Sequence, residues 1–230
     1  GPNIIAGTAA TKLLSGSNMD DMTVMLRETV QNSWDARNKG DKIFYQFKAI
    51  ELSKSELKAL RNEIGQYEYG NLILNRIYNG TKTAIQVLDK CTTGLSGEIT
   101  YEYNHDSHSK FLKFVFEVGN ANQGAGAGGS FGYGKASLYK LSKVGTVAIY
   151  SRVRIDSGYE DRFIIKSINR ISDYKDNSAG VFWWGSKIHT PKNESLARSI
   201  LPVTGQNAKN IANSIGMNTF AGTDTGTVLL

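Results

Sequence analysis

The chain has 230 residues, 40% hydrophobic and 10% aromatic, and a formal net charge of +6, enough apolar material for one sizeable core. Nowhere do roughly 18 apolar residues run together, so no membrane-spanning helix is encoded, and no charged-then-apolar leader opens the sequence. Cys91 stands alone, which leaves no internal disulfide or cysteine-built zinc site and fits a reducing, cytoplasmic setting. Lys and Arg are scattered, so DNA binding is compatible with the charge but not signalled by it.

Gly1-Pro2 reads as the remnant of a cleaved expression tag and is set aside. The segment DDMTVMLRETVQNSWDARN then places Met22, Met25, Leu26, Thr29, Val30 and Ser33 at helical spacing, with Asn18, Asp20 or Asp21 as N-cap and Gly40 closing the unit. KIFYQFKAIEL reads as a strand, and SKSELKALRNEI as a helix that opens with a capping box and ends at Gly65. A polar stretch around YNGTK carries no element. TAIQVLD is a strand that stops at Asp89, and KCTTGLSG is a turn-rich loop. GEITYEYNHDSHSKFLKFVFEVG is polar in the middle and strand-like at its apolar end. The glycine-rich GNANQGAGAGGSFGYGKAS leads into a short helix, ASLYKLSK. TVAIYSRVR, DRFIIKSI and GVFWWGSKI suggest an antiparallel meander, TGQNAKNIANSIGM a helix, and GTVLL the start of a strand. With no repeat or low-complexity linker, the pattern predicts one α/β domain over residues 3–230, a two-layer sandwich of a mixed, largely antiparallel sheet with helices on one face. The domain is expected to be a fragment of a longer protein.

The glycine loop matches two phosphate-binding patterns at once. Gly124, Gly126 and Gly129 spell G-x-G-x-x-G, and Gly129, Gly134 and Lys135 spell G-x-x-x-x-G-K. The second lacks the hydroxyl that holds magnesium, because Ala136 follows the lysine. The first lacks an acidic residue at a strand end about 20 positions on, where TVAIYSR stands instead. Elsewhere, Glu28, Asn32 and Asp35 share one helix face, and Asp89 ends an apolar strand with Gly94 and Gly97 close behind. A carboxylate there can accept a hydrogen bond from an exocyclic amine.

The order RETVQNSWDA (27–36), VLDKCTTGLSG (87–97), GGSFGYGKAS (128–137) and GTVLL (226–230) resembles the GHKL ATPase superfamily, the group of gyrase, Hsp90, histidine kinases and MutL. The resemblance runs from near residue 20 to the last residue, and the lid is most similar to Hsp90-, MutL- and MORC-type members. It implies a Bergerat-type ATP-binding fold that binds ATP with Mg2+, hydrolyses it slowly and acts as an ATP-gated dimerisation switch for a downstream effector. By the same resemblance Glu28 would be the general base and Asn32 the magnesium ligand, with Asp35 in the nucleotide site beside them. Asp89 would bind the adenine amine, Gly94 and Gly97 would shape the base pocket, and Thr227 would support Asp89. Gly129, Gly132, Tyr133, Gly134 and Lys135 would form the phosphate-facing turn into a helix. The family's first glycine after the aspartate is replaced by Cys91. A histidine-kinase-type catalytic domain and a non-catalytic ATP-sensing or DNA-associated module are the alternatives.

Two further features read as structural. His105, Asp106 and His108 form H-D-x-H without a third ligand, a surface pattern more often than a metal site. Trp183 and Trp184 point to opposite faces of a strand, so at least one belongs to the core.

Overall fold

The computed structural model describes residues 20–66, 68–80, 82–100, 108–116, 133–168, 180–187 and 200–230. Helix α1, Asp21–Asp35, is capped by Asp20, whose carboxylate accepts from Thr23 N at 3.3 Å. It buries Met25, Thr29 and Ser33, a stripe at i, i+4 and i+8, whereas Val30 lies off that stripe and is 47% exposed. Strand β1, Phe44–Glu51, leads to α2, Lys54–Ile64, with the anticipated reciprocal bonds between Ser53 and Glu56 and with Gly65 at its end. A helix follows that the sequence reading left without an element: α3, Glu68–Asn79. Tyr, Asn and Gly hide it from propensity, yet Ile73, Leu74 and Ile77 recur at helical spacing and pack with Ile64.

Strand β2, Thr83–Lys90, carries Asp89 one residue before its end. The apolar run after it corrects the sequence reading, because Lys110–Val115 is a helix, α4, and not a strand. Ser109 caps it by accepting from Leu112 N at 3.1 Å, and Phe111, Leu112 and Val115 take the helical positions i, i+1 and i+4 toward the core. Helix α5 is Tyr133–Leu141. The meander follows as β3, Thr146–Ile155, β4, Gly158–Ile168, and β5, Val181–Trp184. Two short pieces, β6 (Ser186–Lys187) and β7 (Ile200–Leu201), pair with each other. Then β8 (Val203–Thr204), α6 (Gly205–Ser214) and β9 (Gly226–Leu229) complete the described chain.

The main sheet has the order β1-β2-β9-β3-β4-β5, with β8 also on β4, and every described pairing is antiparallel. This is the α/β sandwich on a largely antiparallel sheet that the pattern implied. The helices divide between its two faces, where the sequence reading had gathered them on one. Leu88, Ala148, Tyr150, Phe163 and Val228 pack with α2, α3 and α6. Val87, Val147, Ile149, Ile164 and Leu229 pack with α1, α4 and α5. The physical reason is legible in β4 and β5, whose runs FIIKSI and VFWW are buried at every position and therefore need cover on both sides. Trp183 joins one core and Trp184 the other. Among the described residues no helix is long and apolar enough to cross a membrane.

A polar clamp ties the long approach to β9 against the sheet. The Tyr150 hydroxyl donates to Asp161, and Arg152 pairs with the other oxygen of the same carboxylate at 2.9 Å. Arg152 also donates to Gly222 O at 3.0 Å, and Phe220 stacks on Tyr150. Burial, reinforced by Asp161, lifts the Tyr150 hydroxyl well above the usual tyrosine range. The clamp thus fixes residues 220–222 just before the chain enters β9.

Candidate functional site

Strand β9 enters the sheet between β2 and β3 and places Thr227 opposite both Asp89 and Ser151. The Asp89 carboxylate collects three donors. Thr227 N reaches Oδ1 at 3.0 Å, Thr92 Oγ1 reaches the same oxygen at 2.6 Å, and Ser33 Oγ reaches Oδ2 at 3.1 Å. Ser33 comes from α1, so the helix that carries Glu28 and Asn32 is bonded directly to the strand aspartate. A carboxylate offers about four lone-pair directions, and three are taken by the protein. One acceptor direction remains.

Burial raises the Asp89 carboxyl above its ordinary range, outweighing the bonds from Thr92, Ser33 and Thr227 and the Lys110 charge, all of which pull it down. Lys110 stands close by, donating to Thr93 Oγ1 at 2.8 Å. Behind the carboxylate, Thr29 Oγ1 and the Tyr45 hydroxyl are 2.8 Å apart, and burial likewise raises Tyr45. A polar seam therefore runs from α1 across β1 and β2 to β9 in an otherwise apolar interface.

The loop after β2 is stitched to its surroundings by backbone. Thr93 N donates to Ala36 O at 2.7 Å and Asn38 N to Cys91 O at 3.2 Å, which fastens the loop to the end of α1. Leu95 N donates to Ser151 Oγ at 2.8 Å, and that hydroxyl donates on to Gly226 O at 2.8 Å. Gly94 has φ +60, and a Cβ there would come within 2.7 Å of Ser151 Oγ and 2.8 Å of Gly226 O. Its lack of a side chain lets the loop lie against β3 and β9. From the far side Arg162 of β4 donates through Nη1 to Leu95 O at 3.0 Å and Gly97 O at 2.7 Å.

Cys91, standing where the resembled family has glycine, takes φ +61, the left-handed conformation that glycine adopts without cost. The loop thus has the backbone shape of a glycine turn with a cysteine in it. Cys91→Gly is expected to stabilise the protein by about 0.5–1 kcal/mol, the relief of left-handed strain less the added freedom of the unfolded chain. Urea unfolding at an unchanged slope is the check, and a loss of stability would show that the thiol packs more favourably than the strain costs.

The structure brings Asp89, Thr227 and Gly94 together, with Gly97 held through Arg162, and puts Glu28 and Asn32, both part-buried, on the helix bonded to them. Asp35 is not drawn in. It is exposed at the end of α1, and its carboxylate accepts from Gln31 at 2.9 Å. Tyr133, Gly134 and Lys135 form the first turn of α5. Gly129, Gly132, His105 and Asp106 lie outside the described residues, while His108 is exposed. Among the described residues no three His, Cys, Asp or Glu side chains gather as a metal site. Sequence reading missed Ser33, Thr92, Ser151 and Arg162 as parts of the site. Ser33 had a signal, a small hydroxyl on the buried stripe of α1, whereas Arg162 had none.

No family model matches the chain, and comparison with curated proteins and with solved structures gave no significant match.

Proposed function

We propose that the domain binds ATP with Mg2+ in the manner of the GHKL ATPases and hydrolyses it slowly. The observation that carries this reading is the Asp89 carboxylate, held by Ser33, Thr92 and Thr227 N with one acceptor direction left over. That arrangement suits a single N–H donor, as the exocyclic amine of adenine supplies. The base would rest against the loop from Thr92 to Gly97, with Lys110 at its edge.

Other features support the phosphate end. Lys140 near the end of α5 pairs with Asp21 at the start of α1 at 3.4 Å, and the two helices touch along their length. They therefore run antiparallel, and at 1.5 Å per residue the first turn of α5 faces the middle of α1, where Glu28 stands. A helix N-terminus offers free N–H groups and a partial positive charge to an anion. Asn32, one turn beyond Glu28, supplies an amide oxygen, a donor suited to magnesium, which takes few protein ligands besides substrate phosphates. When bound, the ion would neutralise phosphate charge. Glu28 would hold and orient the attacking water, and hydrolysis in such sites comes largely from positioning and charge neutralisation.

Calorimetry with ATP, ADP and GTP tests the reading. Tight binding of both adenine nucleotides and weak binding of GTP are expected, and equal binding of GTP would sink it. Glu28→Ala is expected to keep ATP affinity within about threefold and to lower turnover by about 100-fold or more, the usual worth of a positioned base. Single-turnover hydrolysis measured beside binding separates the two effects. Size-exclusion chromatography with a non-hydrolysable ATP analogue tests the nucleotide-dependent dimer that the resemblance to the GHKL ATPases implies.

A further inference from the structure

Strand β9 lies between β2 and β3 and stops short of both. Leu229 stands opposite Val87 and Ile149, and Leu230 exchanges backbone bonds with Ala148 at 2.7 and 2.9 Å. Past that point β2 still has Ile85, Ala84 and Thr83, and β3 still has Val147 and Thr146. Among the described residues these five are strand-paired on their outer edges alone, to β1 and β4. A cavity of about 380 Å3 opens at this place. Met25 and Leu138 line it from one face of the sheet, Ile73 and Ile215 from the other, with Ile85 and Val147 as side walls. An unbroken sheet would separate those two sets of residues. A single cavity that touches both must pass through a gap in the sheet, and two strands flanking a missing third stand about 9.6 Å apart.

We infer that this gap is the seat of an extended apolar peptide segment, three residues long, joined to Leu230 and continuing β9 in register. Its first residue would face Ile85 and Val147, its second Ala84 and Thr146, and its third Thr83, by extension of the observed pairings. Strand alternation sends the first side chain to the face of Leu229, toward Met25 and Leu138, and the second toward Ile73 and Ile215. Both places are apolar, so both side chains must be. A lipid or other small apolar molecule could fill the space but would leave the inner N–H and C=O groups of Thr83 and Ile85 in β2 unmet, whereas a strand satisfies them. On β3 the Thr146 N–H and C=O are bonded to Ser142 Oγ, each at 3.0 Å, and the incoming strand has to displace that hydroxyl or pass it.

The test adds tails to the 230-residue chain and needs no nucleotide, so its outcome is independent of the ATP reading. A Val-Ile-Val tail after Leu230 should raise the Tm by on the order of 10 °C, the effect of burying two branched side chains in a domain of this size. It should also slow amide exchange at Thr83 and Ile85, whose N–H groups face the gap. A Ser-Asn-Ser tail should shift the Tm by no more than about 2 °C, because polar side chains gain nothing in these positions. An apolar tail without stabilisation or protection, or a polar tail that matches it, overturns the inference. So does a free Leu-Val-Ile-Val peptide that protects the same amides of the untailed chain when the fused tail does not, since the seat then belongs to a separate strand.

Discussion

Asp89→Asn is expected to lower ATP affinity by about 100-fold or more, a charged hydrogen bond lost and a donor set against a donor, while the protein stays folded. The asparagine carbonyl can accept from Thr227 N and Thr92 Oγ1 as Oδ1 does now, and its amide nitrogen can donate to Ser33 Oγ, which then turns its own proton to Thr29 O. Every neighbour keeps a partner. The remaining direction toward the ligand changes sign, from a lone pair to an N–H, and the adenine amine meets another donor. Calorimetry for binding and thermal unfolding for the fold, on the same preparation, decide the matter. Unchanged affinity would remove Asp89 from the site and with it the nucleotide reading.

The same substitution has a pH signature. Burial holds the Asp89 carboxyl above its ordinary range, so the folded state binds this proton more readily than the unfolded chain does. Its contribution to stability is therefore fully present below the unfolded value and is lost as pH rises through the folded one. The proposed adenine recognition would run the opposite way, because it requires the ionised acceptor: affinity should weaken as pH falls through the raised value. In Asp89→Asn the residual stability profile should be flatter across that acidic window. A wild-type affinity that rises on acidification would contradict the assigned role.

Much of this candidate site could be read from residues because its polar groups sit on local patterns. The α1 stripe, the aspartate at the end of an apolar strand, and the Gly-Thr pair of β9 each announce themselves within a few positions, and the fold brings Asp89 and Thr227 to 3.0 Å. What the sequence could not carry is contact between distant segments. Ser33 looks like one more residue of a buried helix face until β2 passes beneath it. Arg162 looks like an ordinary strand arginine until the loop from Leu95 to Gly97 closes over it. Helix α4 was hidden for another reason. FLKFV has both strand-forming residues and helical spacing, and the cap at Ser109 settles what propensity leaves open. The distribution of helices over both faces required knowing that β4 and β5 are covered on both faces of the sheet.

Arg162→Ala is the change expected to cost the most stability, about 3 kcal/mol, the low end of the effect of breaking a buried ion pair, because the Glu160 side chain is 25% exposed. The guanidinium is 5% exposed, lies over Phe111 at 5.6 Å, and donates through Nε to Glu160 at 2.7 Å as well as to the two loop carbonyls. Alanine leaves the buried Leu95 O without its donor, removes the bond that holds Gly97 O at the exposed end of the loop, and strands Glu160 beside them. The Tm should fall by roughly 10 °C in a domain of this size. Arg162→Lys should recover only part of the loss, because one ammonium cannot reproduce a planar fork that serves the carboxylate and the loop together. Arg154, exposed on the adjacent strand, is the control: Arg154→Ala should stay within about 0.5 kcal/mol. Below the lowered Tm, ATP affinity of the Arg162 variants should fall more than turnover of bound ATP, since in the proposed reading the loop would shape the base site while Glu28 and Asn32 stand on a different element. A Tm within 2 °C of wild type for Arg162→Ala would mean the loop holds its shape through Ser151 and Ala36 alone.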